Sequence, residues 1–255
     1  MIKRIGLLCL LMEICIFTQA KDNNVYTFGG INRTDPGKKQ ITLIFTGADR
    51  AEGAPYILDI LKNNKIKAAF FLTGKFYERF PDVIADIRKD GHYLGSHGYA
   101  HLLYSSWENR DSMLVTREQF VEDTEKSYSA MAECGIKRKD APYFIPSFEH
   151  YNDTVSRWTR EIGLHLISCT YGTASAADYT TPDMKNYRSS ENIYNNIMEV
   201  EEKNGLNGHL MLFHIGTVDA RTDKMYKTYL DKVIKELKNR GYKFVPLKKA
   251  IGKVK

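Results

Sequence analysis

Short apolar runs and amphipathic segments alternate along most of this chain. Runs such as Ile41 to Phe45 and Leu210 to Phe213 predict buried strands, because a strand covered on both faces has no polar side. Segments such as Thr116 to Cys134, closed by Gly135, predict amphipathic helices. The predicted strands are 41–45, 66–72, 142–145, 164–168, 210–213 and 243–245, and the predicted helices are 55–62, 81–89, 116–134, 154–162, 190–203 and 225–239.

This alternation predicts the α/β class: a distorted (β/α) barrel of about seven parallel strands in a single domain. Barrels carry their functional groups at the carboxyl ends of the strands, so polar segments that follow strands should meet at one mouth. Exposed loops are polar in any protein, which is the alternative explanation. The five segments are Thr46 to Asp49, His97 to His101, Pro146 to His150, Tyr171 to Asp178, and His214.

The first twenty residues have the pattern of a secretory signal. Lys3 and Arg4 precede an apolar run that ends at Phe17, and Thr18-Gln19-Ala20 offers small residues for cleavage. We therefore expect a signal peptide at 1–20, an N-terminal extension at 21–39, a barrel domain at 40–255, and export to the periplasm or the exterior. No later run approaches the ~20 apolar residues of a membrane span, so none is expected.

The charge of the chain bears on its partners, and its cysteines bear on a possible disulfide. The chain has 255 residues and a net charge of +6, but its basic residues are scattered, so a nucleic-acid partner is not expected. Cys134 and Cys169 would remain after processing. Export permits a disulfide between them, and the sequence leaves open whether they are bridged or are separate thiols.

His97 and His101 form the most informative pair in the chain. They lie four residues apart in Gly91-His92-Tyr93-Leu94-Gly95-Ser96-His97-Gly98-Tyr99-Ala100-His101. Two imidazoles at this spacing can bind one divalent metal, and a bound metal can make water nucleophilic near neutral pH. A pair of structural histidines is the alternative, since the spacing alone can arise by chance.

Several other segments of the chain, together with the two histidines, resemble the motifs of a known family. The stretch from Gly91 to His101, the tripeptide Leu212-Phe213-His214 and the passage Arg240 to Leu247 resemble, in order, motifs of the polysaccharide deacetylases of carbohydrate esterase family 4, the NodB-homology group. Tyr56 to Leu61 and Ile66 to Gly74 resemble the family's first helix and second strand, and the resemblance covers roughly residues 40–247. It implies a distorted barrel that removes acetyl groups from N-acetylated sugars with a divalent metal, usually zinc.

The same resemblance reveals departures from the family pattern. Two aspartates of the first motif, the catalytic base and the third metal ligand, are replaced by Thr46 and Gly47. The third-motif arginine that orients the base is replaced by Ile145. Glycine allows unusual backbone angles, so the turn at Gly47 could bring Asp49 to the place of the missing ligand. The candidates for the base are Asp49, Glu149 and His150.

The resulting hypothesis is an exported, metal-dependent hydrolase that removes acetyl groups from N-acetylated or O-acetylated carbohydrate. The resemblance implies His97 and His101 as metal ligands and His214 as the general acid. Asp49 would be the third ligand of the metal, most simply Zn²⁺. Asp178 is the candidate carboxylate that raises the pKa of His214.

Aromatic residues near the strand ends suggest a glycan site, because aromatic faces stack on sugar rings. Two alternatives remain open: a member of the same fold that binds glycan without catalysis, and an amidohydrolase acting on a non-carbohydrate amide. The candidate substrate-binding residues are Trp107, Phe148, Tyr151 and Tyr171.

Overall fold

The computed structural model describes residues 22–252 and shows a curled, mostly parallel sheet surrounded by helices. The signal peptide predicted at residues 1–20 lies outside the described residues. The strands are β1 Val25–Thr27, β2 Gly30–Arg33, β3 Gln40–Gly47, β4 Ala69–Leu72, β5 Tyr93–Ser96, β6 Tyr143–Phe144, β7 His165–Leu166, β8 His209–His214 and β9 Lys243–Phe244. The helices are α1 Ala54–Asn63, α2 Gly74–Arg79, α3 Pro81–Lys89, α4 Arg117–Glu133, α5 Asp153–Glu161, α6 Ser190–Asn204, α7 Met225–Thr228, α8 Leu230–Asn239 and α9 Leu247–Ile251. Short 3₁₀ helices lie at Arg138–Asp140, Ser147–Glu149 and Ser175–Tyr179.

Strand β3 lies at the centre of the sheet. It pairs in parallel with β4, β8 and β9, and parallel pairing continues from β4 through β5 and β6 to β7. In the part of the chain described here, β3 to β9 are therefore seven strands in parallel register, with helices between successive strands. This confirms the predicted class, a single-domain distorted (β/α) barrel.

The predicted N-terminal extension takes part in the sheet. Its strand β2 pairs antiparallel with β8, where Arg33 lies opposite His209. On its other side Ile31 forms a parallel bridge with Ile167, just beyond β7, and the Ser168 N–H donates to the Ile31 carbonyl at 2.8 Å. Strand β2 thus connects the two ends of the curled sheet.

Alternation along the strands separates two hydrophobic clusters, because successive side chains in a strand point to opposite faces. Leu43 and Phe45 of β3 face the larger cluster, which the helices cover. Ile44 faces the smaller cluster inside the barrel. Helix α9 packs Leu247 and Ile251 against this inner cluster. The end of the barrel where the strands finish is left for polar side chains.

The structure differs from the predicted elements in a few places. The helix predicted over 225–239 is divided into α7 and α8 at Tyr229, whose backbone is not helical. Strand β4 begins at Ala69 rather than at residue 66. Strands β1 and β2 and helices α2 and α9 were not predicted; each is too short to show a clear period, and β2 is a strand because it pairs with β8. No helix in residues 22–252 combines the length and apolar character needed to cross a bilayer.

Candidate functional site

A cavity of about 320 Å³ lies at the carboxyl ends of the strands. Thr46 in β3 and His214 in β8 are register partners and lie on the same alternating face as Ile44 and Leu212, which belong to the inner cluster. His97 follows β5 directly. The lining residues come from the segments after β3, β5, β6, β7 and β8, so the predicted convergence on one mouth is observed.

His97 and His101 lie side by side in this cavity, with ring centroids 5.1 Å apart. The Nδ1 atom of His97 lies 2.9 Å from the carbonyl oxygen of Ile145. A carbonyl only accepts, so Nδ1 carries the hydrogen and Nε2 keeps a free lone pair. His101 has a positive φ of 60°, a conformation that non-glycine residues adopt rarely and mostly where the surroundings enforce it.

Both imidazoles are held in the neutral form that binds metals. Burial lowers the pKa of His97 well below its usual value, and the charges of His101 and His214 act in the same direction. Burial and the nearby His214 lower the pKa of His101 to about 4, although Asp49 and Asp123 oppose this. Neutral imidazole is the ligand form for divalent metals.

Asp123, on α4, holds the loop that carries the two histidines. Its carboxylate accepts hydrogen bonds from the backbone N–H groups of Tyr99 and Ala100, both at 2.9 Å, and from the hydroxyl of Tyr104 at 3.0 Å. Sequence reasoning missed this residue, because an aspartate in an amphipathic helix ordinarily faces solvent.

His214 and Asp178 form a closely bonded pair. Asp178 is buried in the 3₁₀ helix Ser175–Tyr179; it accepts from the His214 backbone N–H at 3.0 Å and lies 2.6 Å from Nδ1. Burial by itself would lower the pKa of His214, but the charge and hydrogen bond of Asp178 outweigh it and the pKa is raised. Since Nδ1 is engaged, Nε2 is the nitrogen available to a ligand.

Two acceptor atoms on the cavity wall have no hydrogen-bond partner. They are Oγ1 of Thr46 and Oε1 of Glu149, and both atoms are buried. Burial raises the pKa of Glu149 to about 7. The charge of His214 lowers this pKa, and the charge of Asp178 raises it further. Buried polar atoms without partners are costly, so both mark a place where a polar ligand would be stabilised.

Asp49 lines the same cavity but sits at its edge as an exposed residue. Its backbone carbonyl accepts a weak hydrogen bond from Arg79 at 3.4 Å. His150, another candidate, uses Nε2 in a contact with the Ser106 carbonyl at 3.0 Å and does not line the cavity. Of the candidate bases, Glu149 is therefore the one with a carboxylate oxygen buried in the cavity, where Oε1 lies 3.8 Å from Nε2 of His97.

The predicted sugar-binding residues separate into two groups. Phe148 and Trp107 line the cavity and expose 42% and 62% of their surface, with the Phe148 ring 4.2 Å from that of His101. Tyr151 is buried and bonds to the Thr27 carbonyl at 3.1 Å, so its position does not support substrate contact. Tyr171 lies outside the cavity lining and donates to the Glu149 carbonyl at 2.9 Å.

The rim is completed by Tyr179, one of the aromatic residues expected near the strand ends, and by two apolar side chains that were not predicted. Tyr179 lies edge-on to His214, with ring centroids 5.1 Å apart. Met184 and Val218 also line the cavity and are exposed. Their position in long connections after β7 and β8 leaves no periodic signal in the sequence.

Comparison with known proteins establishes the family. The polysaccharide deacetylase family model matches residues 33–167. A peptidoglycan-N-acetylglucosamine deacetylase of Bacillus cereus is 30% identical over 218 residues, covering 82% of this chain and 67% of the relative. This chain belongs to the polysaccharide deacetylase family. A chitin deacetylase of Colletotrichum lindemuthianum is 28% identical over 206 residues, covering 78% of this chain and 74% of the relative. These relatives are hydrolases acting on carbon–nitrogen bonds other than peptide bonds, which confirms the predicted enzyme class.

Solved structures agree on the fold. A CE4 family pseudoenzyme from Bacillus anthracis aligns with a TM-score of 0.70 at 20% identity, covering 89% of this chain and 70% of that one. A mutant of that pseudoenzyme, described as having restored enzymatic activity, aligns equally well. At this identity the likeness establishes the fold alone.

The two positions that carry aspartates in the family, Thr46 and Gly47 here, have different surroundings in the structure. Thr46 is on the inner face, where its side chain borders the cavity. A Cβ at Gly47 would lie 2.4 Å from Cγ2 of Ile215, so a side chain there requires that neighbour to move. Ile145 is fully buried, and its backbone carbonyl, rather than its side chain, orients His97.

The predicted metal site is not preassembled. In residues 22–252, no three His, Cys, Asp or Glu side chains are gathered as a metal site. The donor types nevertheless suit a divalent cation: two neutral imidazoles, the free Nε2 of His97, and a buried carboxylate oxygen without a partner. Cys134 and Cys169 are free thiols in the structure, so the question of a disulfide is answered against one.

Proposed function

We propose that this protein is an exported, metal-dependent deacetylase of acetylated carbohydrate, in which His214 is the general acid. The observation that carries the proposal is the cavity that unites the neutral pair His97 and His101 with the Asp178-bonded His214. The names of the relatives support an N-acetylated glycan substrate.

His97 and His101 would hold the cation, with a carboxylate from the cavity wall, for which Asp49 is the candidate from sequence. A divalent cation bound there, most simply zinc, supplies activation of water and polarisation of the acetyl carbonyl. Among the protein's own groups, Phe148 and Trp107 offer exposed faces for a sugar ring.

In this proposal His214 protonates the nitrogen of the departing sugar. Water adds its oxygen to the acetyl carbon and gives up a proton to the solvent, since the family's base is absent. The carbon–nitrogen bond breaks, and the sugar nitrogen must gain a proton because an amide anion is a poor leaving group. Protonated His214 supplies that proton, and Asp178 keeps it available by raising its pKa. The Thr46 hydroxyl is too weakly basic to replace the family's base, so we expect slow turnover.

A glycan-binding member without catalysis is the second candidate. It is favoured by the replacement of the family's base by Thr46 and by the absence of a preassembled three-ligand group in the described residues. The exposed aromatic rim would serve binding as well as catalysis.

Acetate release tests the choice. The chain from residue 21 onward, supplied with saturating Zn²⁺, is incubated with N-acetylated and O-acetylated oligosaccharides, with a His214→Ala variant as control. A hydrolase releases acetate that the variant does not release. Oligosaccharide binding without any acetate release, for every substrate, would leave the binding module as the function, and acetate release only from a non-carbohydrate amide would indicate the amidohydrolase.

A further inference from the structure

The loop after β6 places a carboxylate in the cavity that His97 and His101 line. Oε1 of Glu149 lies 3.8 Å from Nε2 of His97, and the Glu149 side chain is only 12% exposed. Oε1 is buried and has no hydrogen-bond partner. A separation of 3.8 Å is too long for a hydrogen bond between these atoms.

Both facing atoms are lone-pair donors. Nε2 of His97 is bare because Nδ1 carries the hydrogen toward the Ile145 carbonyl. Ligand bonds of about 2.0–2.2 Å in a tetrahedral site put two ligand atoms roughly 3.4 Å apart. The observed gap between these two atoms is therefore close to the spacing of two ligands of one small cation. The ring of His101 lies 5.1 Å from that of His97 between centroids, and since the three side chains are not gathered as a metal site in residues 22–252, binding would draw them together.

The loop is held so that this carboxylate stays in the cavity. Phe148 and Glu149 have consecutive positive φ angles of 62° and 53°, which non-glycine residues rarely adopt. Three contacts fix the turn: Tyr171 donates to the Glu149 carbonyl at 2.9 Å, the Glu149 N–H donates to the Pro146 carbonyl at 2.9 Å, and Ser147 Oγ donates to the His97 carbonyl at 3.1 Å. The last contact ties the loop directly to the histidine segment.

We propose that Glu149, rather than Asp49, supplies the carboxylate oxygen of a divalent-cation site with His97 and His101, which moves the acidic ligand from the loop after β3 to the loop after β6. This inference rests on the metal dependence in the proposed function. The ligand that the family carries at position 47 would then come from a different loop, while the base lost at Thr46 would stay unreplaced.

Metal affinity tests the assignment without reference to activity. Binding of Zn²⁺ to the chain from residue 21 onward is measured by calorimetry, and Co²⁺ is added separately to record its visible spectrum. Glu149→Gln keeps size but removes charge, and Asp49→Asn is the matched control. We expect Glu149→Gln to weaken Zn²⁺ binding by about 100-fold or more and to change the Co²⁺ spectrum, and Asp49→Asn to leave both within about threefold.

Folding is checked by thermal unfolding without metal, where Glu149→Gln should be at least as stable as the parent because it removes a buried, unpartnered carboxylate. Glu149→Asp, one methylene shorter, is a second variant and should also weaken Zn²⁺ binding. Equal affinity in the parent and both Glu149 variants, or loss in Asp49→Asn alone, would overturn the assignment while leaving metal dependence intact. A parent chain that binds neither metal would overturn the metal-dependent function itself as well.

Discussion

The carboxylate of Asp178 holds His214 at two points, the backbone N–H at 3.0 Å and Nδ1 at 2.6 Å. The two residues are 36 positions apart in the chain and meet because the connection after β7 folds over the end of β8. One carboxylate thereby sets the orientation of the imidazole and favours its protonated form.

Replacement of this carboxylate should shift the pH dependence of deacetylation. In Asp178→Asn, burial of His214 is no longer opposed by the Asp178 charge, so its pKa should fall. The acid form exists below the pKa; the alkaline limb of kcat/KM should therefore move to lower pH, with a loss approaching the ~10²–10⁴ that a general acid contributes. The pH profile of kcat/KM checks this, and an unmoved alkaline limb would argue against His214 as the acid.

The pair of His214 and Asp178 should make the free energy of unfolding depend on pH. A histidine whose pKa is raised on folding stabilises the folded state below its unfolded pKa of about 6.5, and this contribution is lost as the pH rises through the folded value. Urea unfolding of the parent and Asp178→Asn at pH 5.5 and 8.5 should show a larger difference between the two proteins at the lower pH.

Thr46 is the position at which a base can be restored. Its side chain borders the cavity and Oγ1 has no partner, so a carboxylate there would face the reaction space. We expect Thr46→Asp to raise acetate release by about 10²-fold or more, at some cost in stability for burying a charge. Thr46→Asn is the matched control, since it has the same shape without basicity, and an equal gain in both variants would exclude restoration of a base.

Gly47 should not accept a side chain. A Cβ would lie 2.4 Å from Cγ2 of Ile215, which is fully buried. Gly47→Ala should lower the free energy of unfolding by about 1–3 kcal/mol through overpacking. In a double-mutant cycle with Ile215→Ala, measured by chemical denaturation, part of this loss should be recovered as a coupling energy. Simple additivity of the two losses would show that the contact is not the cause.

Trp107 and Tyr151 should give opposite results when substituted. Trp107 is 62% exposed at the cavity rim, so Trp107→Ala should raise KM for a glycan several-fold, an effect of about 1 kcal/mol, and leave stability unchanged. Tyr151→Phe removes the hydroxyl bonded to the Thr27 carbonyl and should cost about 1 kcal/mol of stability with KM unchanged. Steady-state kinetics and denaturation curves on both variants distinguish rim from core, and a raised KM in Tyr151→Phe would contradict its placement.

The sequence by itself determined the class of fold and the positions of the histidines at the strand ends. Alternating apolar strands and amphipathic helices are local patterns, recorded in neighbouring residues, and they predicted the parallel sheet and the strand ends at which His97, His101 and His214 lie. The tertiary structure decided the rest. That β2 connects the sheet edges, that Asp178 reaches His214, that Tyr151 is buried and that Glu149 faces His97 all depend on how segments far apart in the chain pack together. The curl of the sheet and the left-handed turn at Phe148 and Glu149 set those distances, and no local period in the sequence encodes them.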